Sequence, residues 1–456
     1  GSLNVAGTNI SVTHSASNIE NIICGAGNDT FVFTGAGLLP GTLDGGAGVN
    51  TFDYSSYGSA VTVNLQTAAA TGLSGTFVNI AGAIGSSNTD TLIGFNVANT
   101  FNITGANAGN VAAFTFSAFE NLTGGAGDDV FAFANGATLS GTADGLGGND
   151  TLTFVGNTTS RAIVLTSIGS VDGFNGTAAG GNFANINALV GGNGVDTLTG
   201  PNLANLWTLS AISNLQSAIS NLLAFSAIEN LIGGTGDDVF TLANGLIWNG
   251  AINGDAGSDT LTFASFTIAR NVTLTSVGSV DGFNGTESAI SGGFSNINTL
   301  VGGSTNADTL TGAGVTSSWL LGVGSTQVVV GANTLTLSGI ESLIGGASND
   351  TFTFANGATF NGTINGGVGT DTLDYSAYTA TVTVNIAAGT ATGTNGISNI
   401  EVITGGSGLN TITGDSGNNV LYAGTSNDIL IGGSGDDTYI FRDGWGNDII
   451  IDSSGN

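Results

Sequence analysis

Apolar and polar residues alternate in short runs along most of the chain, as in DTLTF (150–154), DTFTFA (350–355) and VTVNI (382–386). β-Branched and aromatic residues fill these runs, and clusters of Gly, Asn and Asp separate them. Alternation with a period of two residues predicts half-buried strands, and the clusters predict tight turns. We therefore expect an all-β protein built from many short strands.

One segment departs from this alternation. Residues 206–225 (LWTLSAISNLQSAISNLLAF) also suit a helix, whereas their counterparts at 101–116 and 319–336 predict strands and loops. Both interpretations of 206–225 stay open from the sequence alone.

Similar sequences recur several times along the chain. IENIICGAGNDTFVF (19–33), FENLTGGAGDDVFAF (119–133), IENLIGGTGDDVFTL (228–242) and IESLIGGASNDTFTF (340–354) are copies of one unit. The intervening text also repeats, since LTSIGSVDGFNGT at 165–177 returns as LTSVGSVDGFNGT at 274–286. A tandem array of this kind predicts a solenoid, in which each repeat stacks on its neighbours.

The spacing of the acids indicates how long each coil is. From residue 405, four consecutive nine-residue units follow: GGSGLNTIT, GDSGNNVLY, AGTSNDILI and GGSGDDTYI. One turn and one strand fill such a unit, so two units make one coil, and extra residues in turns such as ANGATFNG (355–362) lengthen it upstream. Acids that recur every 21 residues then lie on the same side of adjacent coils: Asp129 and Asp150, Asp238 and Asp259, Asp350 and Asp371, and Asp29 with Asn50. These periods predict a right-handed parallel β-solenoid (β-helix).

The net charge of the chain limits which binding partners are expected. The formal net charge is −29, and the basic residues are Arg161, Arg270 and Arg442 alone. Such a surface cannot neutralise phosphates, which argues against nucleic acid and anionic membranes and favours cations. No apolar run reaches the roughly 18 residues of a membrane-spanning helix. The single cysteine, Cys24, allows no internal disulfide.

The glycine-rich turns favour calcium among the cations. In G-G-x-G-x-D, the glycines permit positive φ and let backbone carbonyls point inward, and the Asp adds a carboxylate. Coils of a parallel stack lie about 4.8 Å apart, and calcium bonds oxygen at about 2.3–2.6 Å, so an ion fits between two stacked turns. Zinc prefers His and Cys, and the chain offers only His14 and Cys24.

Residues 405–452, GGSGLNTITGDSGNNVLYAGTSNDILIGGSGDDTYIFRDGWGNDIIID, resemble the repeats-in-toxin (RTX, hemolysin-type) calcium-binding nonapeptides. The chain as a whole resembles the β-strand-repeat arrays of very large secreted bacterial surface proteins. The resemblance implies a calcium-filled parallel β-roll, type I (one-step) secretion and folding outside the cell. It also implies that Asp428 and Asp437 are calcium ligands, while Asn410 and Asn419 place a neutral amide at the same position.

We therefore predict several bound calcium ions and a set of metal ligands at the turns. The predicted ligands are Asp428, Asp437, Asn410, Asn419, Asp129, Asp150, Asp238, Asp259, Asp350, Asp371, Asp29 and Asn50. The alternative is that these acids are ordinary turn residues that bond their own backbone. Glu20, Glu120, Glu229, Glu341 and Glu401, each nine residues before an acid or Asn, are expected to cap backbone amides. Trp207, Trp248, Trp319 and Trp445 suit either sugar stacking or core packing.

The sequence divides into residues 1–404, a repetitive β-solenoid with isolated turns of this type, and residues 405–456, a nonapeptide β-roll expected to be continuous with it. We expect a segment of a secreted or cell-surface bacterial protein that acts as a calcium-stabilised structural or adhesive stalk, for example in a biofilm. Its expected partners are calcium, other copies of itself or surface carbohydrate. The alternatives are a self-assembling filament or surface-layer subunit, and a polysaccharide-active β-helix enzyme. No cluster of basic or proton-transferring residues favours the enzyme.

Overall fold

The computed structural model describes residues 2–5, 19–35, 37–210, 213–217, 222–304, 307–441, 444 and 446–453, with no side-chain description for 2–5 and 213–217. Every helix or strand in these residues is a β-strand, which confirms the all-β class. None of these residues belongs to a helix with the length and apolar character needed to cross a bilayer.

The first strands in chain order are β1 (Ser2–Val5), β2 (Asn21–Cys24), β3 (Thr30–Val32), β4 (Leu43–Asp44), β5 (Thr51–Asp53), β6 (Thr62–Asn64), β7 (Ala69–Ala70), β8 (Phe77–Val78), β9 (Gly82–Ile84), β10 (Thr91–Ile93), β11 (Thr100–Gly105), β12 (Ala108–Val111), β13 (Phe114–Ser117), β14 (Asn121–Gly125), β15 (Val130–Phe133), β16 (Thr142–Leu146), β17 (Thr151–Thr153), β18 (Ala162–Ile168), β19 (Phe174–Ala178), β20 (Gly181–Ile186), β21 (Ala188–Val190), β22 (Thr197–Thr199), β23 (Asn205–Leu209), β24 (Ser213–Ser217) and β25 (Leu222–Ser226).

The remaining strands are β26 (Asn230–Gly234), β27 (Val239–Leu242), β28 (Ile252–Asp255), β29 (Thr260–Thr262), β30 (Asn271–Val277), β31 (Phe283–Glu287), β32 (Ile290–Ile297), β33 (Thr299–Val301), β34 (Thr309–Thr311), β35 (Ser318–Leu321), β36 (Thr326–Val330), β37 (Asn333–Ser338), β38 (Ser342–Gly346), β39 (Thr351–Phe354), β40 (Phe360–Gly367), β41 (Thr372–Asp374), β42 (Val382–Asn385), β43 (Thr390–Ala391), β44 (Thr394–Ser398), β45 (Val402–Thr404), β46 (Asn410–Thr413), β47 (Val420–Tyr422), β48 (Ile429–Ile431), β49 (Thr438–Ile440) and β50 (Ile449–Ile451).

The chain forms two compact units, one of residues 1–202 and 212–231, the other of residues 203–211 and 232–456. Each unit is a β-solenoid made mainly of parallel ladders. In the first unit, β15, β17 and β21 form one ladder, and β6, β10, β14 and β16 form another. In the second unit, β39, β41, β45, β47 and β49 pair in series, as do β42, β46, β48 and β50. The predicted domain boundary at residue 404 stays a prediction.

The strand registers confirm the predicted coil lengths. Val130 pairs with Thr151, and Thr351 pairs with Thr372, so these coils advance the chain by 21 residues. In the nonapeptide block Val402 pairs with Val420, which is an 18-residue coil. Because parallel strands in a ladder keep their register, the turn residues of these coils recur directly over their counterparts in the next coil.

Apolar side chains from successive coils stack into columns inside each unit. One column of the second unit consists of Trp319, Phe352, Leu373, Ile403 and Leu421, which are paired in register and have no exposed surface. The Trp319 and Phe352 rings stack with centroids 5.3 Å apart. Burying each such side chain contributes about 1.5–3 kcal/mol before chain entropy is counted. The period-two pattern therefore specifies the core.

Antiparallel meanders interrupt the parallel ladders, which the sequence did not predict. β18, β19 and β20 pair antiparallel in series, while β20 also pairs parallel with β16 and β18 pairs parallel with β22. The same arrangement recurs at β30–β32, β11–β13 and β35–β37. Each meander inserts an antiparallel strand between two parallel ones, so the backbone groups of the ladder stay hydrogen-bonded.

The helical interpretation of residues 206–225 is wrong for the part that the structure describes. β23, β24 and β25 cover Asn205–Leu209, Ser213–Ser217 and Leu222–Ser226, and residues 211–212 and 218–221 lie outside the described residues. β24 and β25 pair antiparallel, so this segment repeats the meander of its counterparts rather than forming a helix. Tertiary pairing overrides a weak local helix preference here.

Candidate metal centre

The glycine-rich turns that precede many strands are called stations here. A station is the turn of six residues that ends in one of the predicted ligands or in an Asp, Asn or Ser at the equivalent position, such as 124–129, and in one case, 302–308, it has seven residues. The ligand position is followed by the inward-alternating strand, as Asp129 is by β15. The registers place the sixth residues of adjacent coils over one another.

The structure brings the predicted ligand pairs together. The backbone N–H of Asp129 donates to Oδ1 of Asp150 at 2.8 Å. Asp238 and Asp259 make the same bond at 2.8 Å, and Asp350 and Asp371 at 2.7 Å. The N–H of Asp29 donates to Oδ1 of Asn50 at 2.9 Å. In the nonapeptide block, Asn410 donates to Asp428 at 2.7 Å and Asn419 to Asp437 at 2.9 Å.

A second ladder runs along the outside of the same turns. The residue before the ligand accepts the N–H of its counterpart in the following coil, as Asn349 does from Thr370 at 2.9 Å. The same bond joins Asn28 to Val49, Asp128 to Asn149, Asp237 to Ser258, Asn418 to Asp436 and Asn427 to Asn447. The inner side chain thus bonds to the preceding coil and the outer one to the following coil.

In ten station Asp residues, the other carboxylate oxygen has no hydrogen-bond donor. Among the residues that the structure describes, Oδ2 is buried without a partner in Asp29, Asp129, Asp150, Asp238, Asp259, Asp350, Asp371, Asp428, Asp437 and Asp448. Asp129, Asp150, Asp238, Asp259 and Asp371 have no exposed surface at all. A buried oxygen without a donor costs about 1–3 kcal/mol, and more if it is charged.

In six of these Asp residues, Oδ2 faces a carbonyl oxygen of the next coil. The point where a Cβ would stand on Gly124 is lined by Oδ2 of Asp129 and the carbonyl oxygen of Gly145. Gly233 has Asp238 and the Gly254 carbonyl in the same places, and Gly345 has Asp350 and the Gly366 carbonyl. At these three positions a Cβ would fill the space. Where no hydrogen-bond donor reaches Oδ2, two oxygens that converge in a buried space favour a positive group between them.

Burial raises the pKa of these carboxyl groups. The pKa of Asp238 rises to about 7, and that of Asp150, Asp259 and Asp350 to about 6, with burial the largest cause in each case. Burial is also the main reason that the pKa is raised in Asp129, Asp371 and Asp428. Their charged forms therefore lack sufficient compensation from the surrounding protein.

An amide nitrogen stands at this point in three Asn stations. Nδ2 of Asn410 donates to the carbonyl oxygens of Gly406 at 3.0 Å and Ala423 at 2.9 Å. Asn50 donates to the Asn79 carbonyl at 2.9 Å, and Asn99 to the Phe95 carbonyl at 2.7 Å. Asn419 differs, because its Oδ1 and not its amide nitrogen stands at this point, beside the Gly432 carbonyl. Calcium ligation by the twelve predicted residues stays a prediction.

Sequence reasoning missed several stations. Asp90, Asp196 and Asp308 occupy the sixth position of further turns, and both of their carboxylate oxygens accept backbone N–H groups. Asn99, Asn205 and Asp448 were also missed. The sequence contained a signal for the three Asp residues, since each begins the motif D-T-L-[IT]. Asp150 and Asp259 begin the same motif in the form D-T-L-T.

Four of the five glutamates that stand nine residues before a station residue cap backbone amides. Oε2 of Glu120 accepts the N–H of Asp90 at 2.9 Å, and Glu229 accepts that of Asp196 at 2.7 Å. Glu341 and Glu401 do the same for Asp308 and Asp371. This geometry favours the capping interpretation for these four glutamates.

The donor set fits a hard, oxygen-preferring cation. Carboxylate and carbonyl oxygens of two adjacent coils are the ligands that calcium prefers. Within the described ranges, no group of three or more His, Cys, Asp or Glu side chains could hold a metal by itself, so backbone carbonyls have to complete any site. Asp129, Asp238 and Asp350, with the carbonyls of Gly145, Gly254 and Gly366, are the clearest examples.

The basic and aromatic side chains have structural partners. Arg270 pairs with the buried Glu287, Nη2 to Oε1, at 2.6 Å and covers the Phe266 ring at 4.6 Å, and Arg161 lies over Phe154 at 5.2 Å. Trp207, Trp248 and Trp319 are buried, at most 8% exposed, so they pack the interior instead of forming sugar platforms. Arg442 and Trp445 lie outside the described residues.

Comparison with known protein families matches residues 119–139 and 404–439 to the RTX calcium-binding nonapeptide repeat, in 4 copies. A comparison with curated proteins found no match to the chain. The matched residues include the stations of Asp129, Asn410, Asn419, Asp428 and Asp437.

Proposed function

We propose that this chain, which carries RTX calcium-binding nonapeptide repeats, is a calcium-stabilised structural and adhesive stalk segment of a large extracellular bacterial surface protein. One observation carries the proposal. Buried carboxylate oxygens face carbonyl oxygens of the next coil, at the same point in Asp129, Asp238 and Asp350. A repeated, charge-uncompensated junction of this kind makes the stacking of coils depend on a cation.

The chain's own residues perform two tasks at each junction. Oδ1 of the Asp takes the backbone N–H of the preceding coil and so fixes the register, as Asp371 does for Asp350. At Asp129, Asp238 and Asp350, Oδ2 and the carbonyl of the first glycine one coil later form the oxygen-lined space, and at Asp371 the carbonyl is that of Asn399. When bound there, calcium would supply the positive charge that this space lacks.

An extracellular location would supply the ion. Extracellular calcium modules typically bind at about 10⁻⁴–10⁻³ M, far above cytosolic free calcium. An ion that binds the folded form alone stabilises it in proportion to its concentration. In this proposal the chain stays loose before secretion and stacks its coils outside the cell. The net charge of −29 keeps the unfolded chain extended and soluble.

A non-catalytic role is supported by how the reactive side chains are used. Arg270 is held by Glu287 and two phenylalanines, and Arg161 by Asn157 and Phe154. The inner carboxylates lie in the stack between coils, where a polysaccharide has no access. Adhesion would then rest on outer surfaces of the stalk.

Calcium titration of the chelator-stripped protein tests the proposal. We expect strand content by circular dichroism and the melting temperature to rise with calcium between about 10⁻⁴ and 10⁻³ M, and magnesium to replace calcium poorly. Identical spectra and melting temperatures with calcium and with chelator would refute calcium dependence. Light scattering in the same titration distinguishes a monomeric stalk from the alternative, a filament or surface-layer subunit. Release of sugars from acidic polysaccharides would favour the enzyme alternative instead.

A further inference from the structure

The stations differ in one backbone hydrogen bond. In one group, the N–H of the station's second residue donates to the side chain of its last residue. Gly192 donates to Asp196 at 2.6 Å, Gly303 to Asp308 at 2.6 Å, and Ser86 to Asp90. Asn99, Asn410 and Asn419 receive the same bond from Phe95, Gly406 and Asp415. We call these six closed stations.

In the other group, the second residue has a positive φ. These residues are Gly125 (147°), Leu146 (64°), Gly234 (121°), Asp255 (72°), Gly346 (128°), Gly367 (101°), Gly424 (118°), Gly433 (104°) and Gly444 (85°). They stand four residues before Asp129, Asp150, Asp238, Asp259, Asp350, Asp371, Asp428, Asp437 and Asp448, whose Oδ2 has no partner in the described part of the chain. We call these open stations. Asp29 shares the free oxygen without the positive φ.

The positive φ turns the second residue's N–H away from the carboxylate. In three open stations that N–H donates to a side chain two residues earlier instead: Leu146 to Asp144, Asp255 to Asn253 and Gly367 to Asn365, at 3.0–3.1 Å. In these three stations, the N–H that would otherwise donate to Oδ2 is therefore bonded to another side chain. Leu146 and Asp255 hold this conformation although a side chain disfavours it, so the geometry does not merely follow from glycine.

Asn50 shows how an open backbone is satisfied by the protein alone. Its second residue, Gly46, has φ 70° and donates to Asp44 at 2.9 Å, as in the open stations. Nδ2 of Asn50 then donates to the Asn79 carbonyl at 2.9 Å, at the point where an Asp would place Oδ2. An amide hydrogen thus stands where an open Asp station needs a positive group.

We propose that only the open Asp stations take up calcium, and that the closed stations hold their coils together without an ion. This inference rests on the proposed function, because it assigns calcium dependence to some coils of the array and not to others. Asp350, 1% exposed with a free Oδ2, is an open station; Asp308, 0% exposed with both oxygens bonded, is a closed one. Calcium would then stabilise the coils with open stations and leave the others unaffected.

Two substitutions in the full chain, D350N and D308N, test the division because each removes one carboxylate from the same unit. We expect D350N to bind one calcium ion fewer by titration calorimetry and to gain less melting temperature from calcium. With chelator, D350N should melt above the unsubstituted chain, because its amide can donate to the Gly366 carbonyl as Asn50 does to Asn79.

D308N should behave in the opposite way. Its amide hydrogens would face the N–H groups of Gly303 or Arg270, so it should melt lower by the same amount with calcium and with chelator. Its calcium stoichiometry should not change. D196N, a second closed station, repeats this test if D308N does not fold.

The outcomes separate the two proposals. Equal loss of bound calcium in D308N and D350N, or an unchanged calcium stoichiometry in D350N, would overturn the division into open and closed stations. An unsubstituted chain whose melting temperature ignores calcium would overturn the proposed function itself, whatever the variants do.

Discussion

The nonapeptide block at 405–437 and the isolated turns at 345–371 differ in how closely they follow the repeat motif, yet their junctions are alike. The block contains four consecutive units, of which Asn410 and Asn419 are closed stations and Asp428 and Asp437 are open. The isolated pair, Asp350 and Asp371, is open at both positions. The number of consecutive repeat motifs in a region therefore does not indicate whether its stations require a cation.

What distinguishes the stations is the backbone of the second residue together with the side chain of the last. Gly406 caps Asn410 through its N–H, whereas Gly346 has φ 128° and leaves Asp350 without that bond. The sequence places glycine at both positions. Coils joined through open stations should therefore respond to calcium, and coils joined through closed stations should not.

Removal of calcium should produce the largest difference between the two kinds of station. With chelator at neutral pH, we expect amide exchange in Thr351–Phe354 and Thr372–Asp374 to accelerate about tenfold or more, because their stations carry uncompensated carboxylates. Thr309–Thr311, which follows the closed station of Asp308, should keep its protection. Hydrogen exchange with mass spectrometry measures both, and equal acceleration in all three strands would remove the distinction.

Acid should substitute for calcium at the open stations. The pKa of Asp238 is raised to about 7 in the folded chain, against about 3.9 when unfolded. Its protonated form therefore favours folding below about pH 4, and this contribution is lost as pH rises through about 7. In chelator, the melting temperature should fall from pH 4.5 to pH 7.5, whereas with calcium the fall should largely disappear.

The variant D238N tests whether the pH dependence in chelator comes from the buried carboxyl group of Asp238 or from general charge repulsion. It should reduce the pH dependence in chelator, because the titrating group is gone. The matched control is D237N, which removes a charge from the exposed neighbour while keeping its Oδ1 for Ser258. If D237N reduces the pH dependence as much as D238N, net charge and not the buried carboxyl is responsible.

At one open station, alanine and asparagine should differ even without calcium. D371A removes the Oδ1 that accepts the N–H of Asp350, whereas D371N keeps an oxygen there. A buried N–H left without an acceptor costs about 1–3 kcal/mol. We expect denaturant unfolding in chelator to show D371A less stable than D371N by that amount. Equal stabilities would mean that the inner ladder contributes little to stacking.

The smallest effect should come from the outer ladder. Asn349 is exposed and its Oδ1 accepts the N–H of Thr370 at 2.9 Å. Because water can replace this bond, N349A should cost about 0.5–1 kcal/mol and leave the calcium stoichiometry unchanged. Loss of a bound ion in N349A would show that the outer side chains take part in the site.

Local periodicity made much of the fold predictable. The 21-residue recurrence of Asp129 and Asp150 and the alternation in β15 and β17 specify coil length and inward face without long-range information. The meander at β18–β20 could not be inferred in this way. Its reversal depends on Asn182 pairing with Thr142, forty residues earlier in the chain, and no local period encodes that partner.

Many of the station positions were predictable, but the hydrogen bonding of their side chains was not. Gly192 and Gly234 are the same residue at the same position of two stations, yet one donates to Asp196 and the other has φ 121°. The residue just before the last residue of a station partly indicates whether the station is open or closed. The fifth residue is Asp or Asn in the open stations of Asp129, Asp238 and Asp350, but Val195 and Ala307 in two closed ones. Ser258 and Thr370, in open stations, show that this signal is incomplete.

The paired inner and outer ladders have a consequence for how such genes change length. Asp371 bonds back to Asp350, and Asn349 bonds forward to Thr370, so one corner joins two coils by two bonds of opposite direction. Duplication of this 21-residue coil would recreate the same two bonds at its new border. Unequal recombination could therefore add coils of this kind without loss of these bonds, whereas an insertion of a few residues at this corner would break both bonds at once.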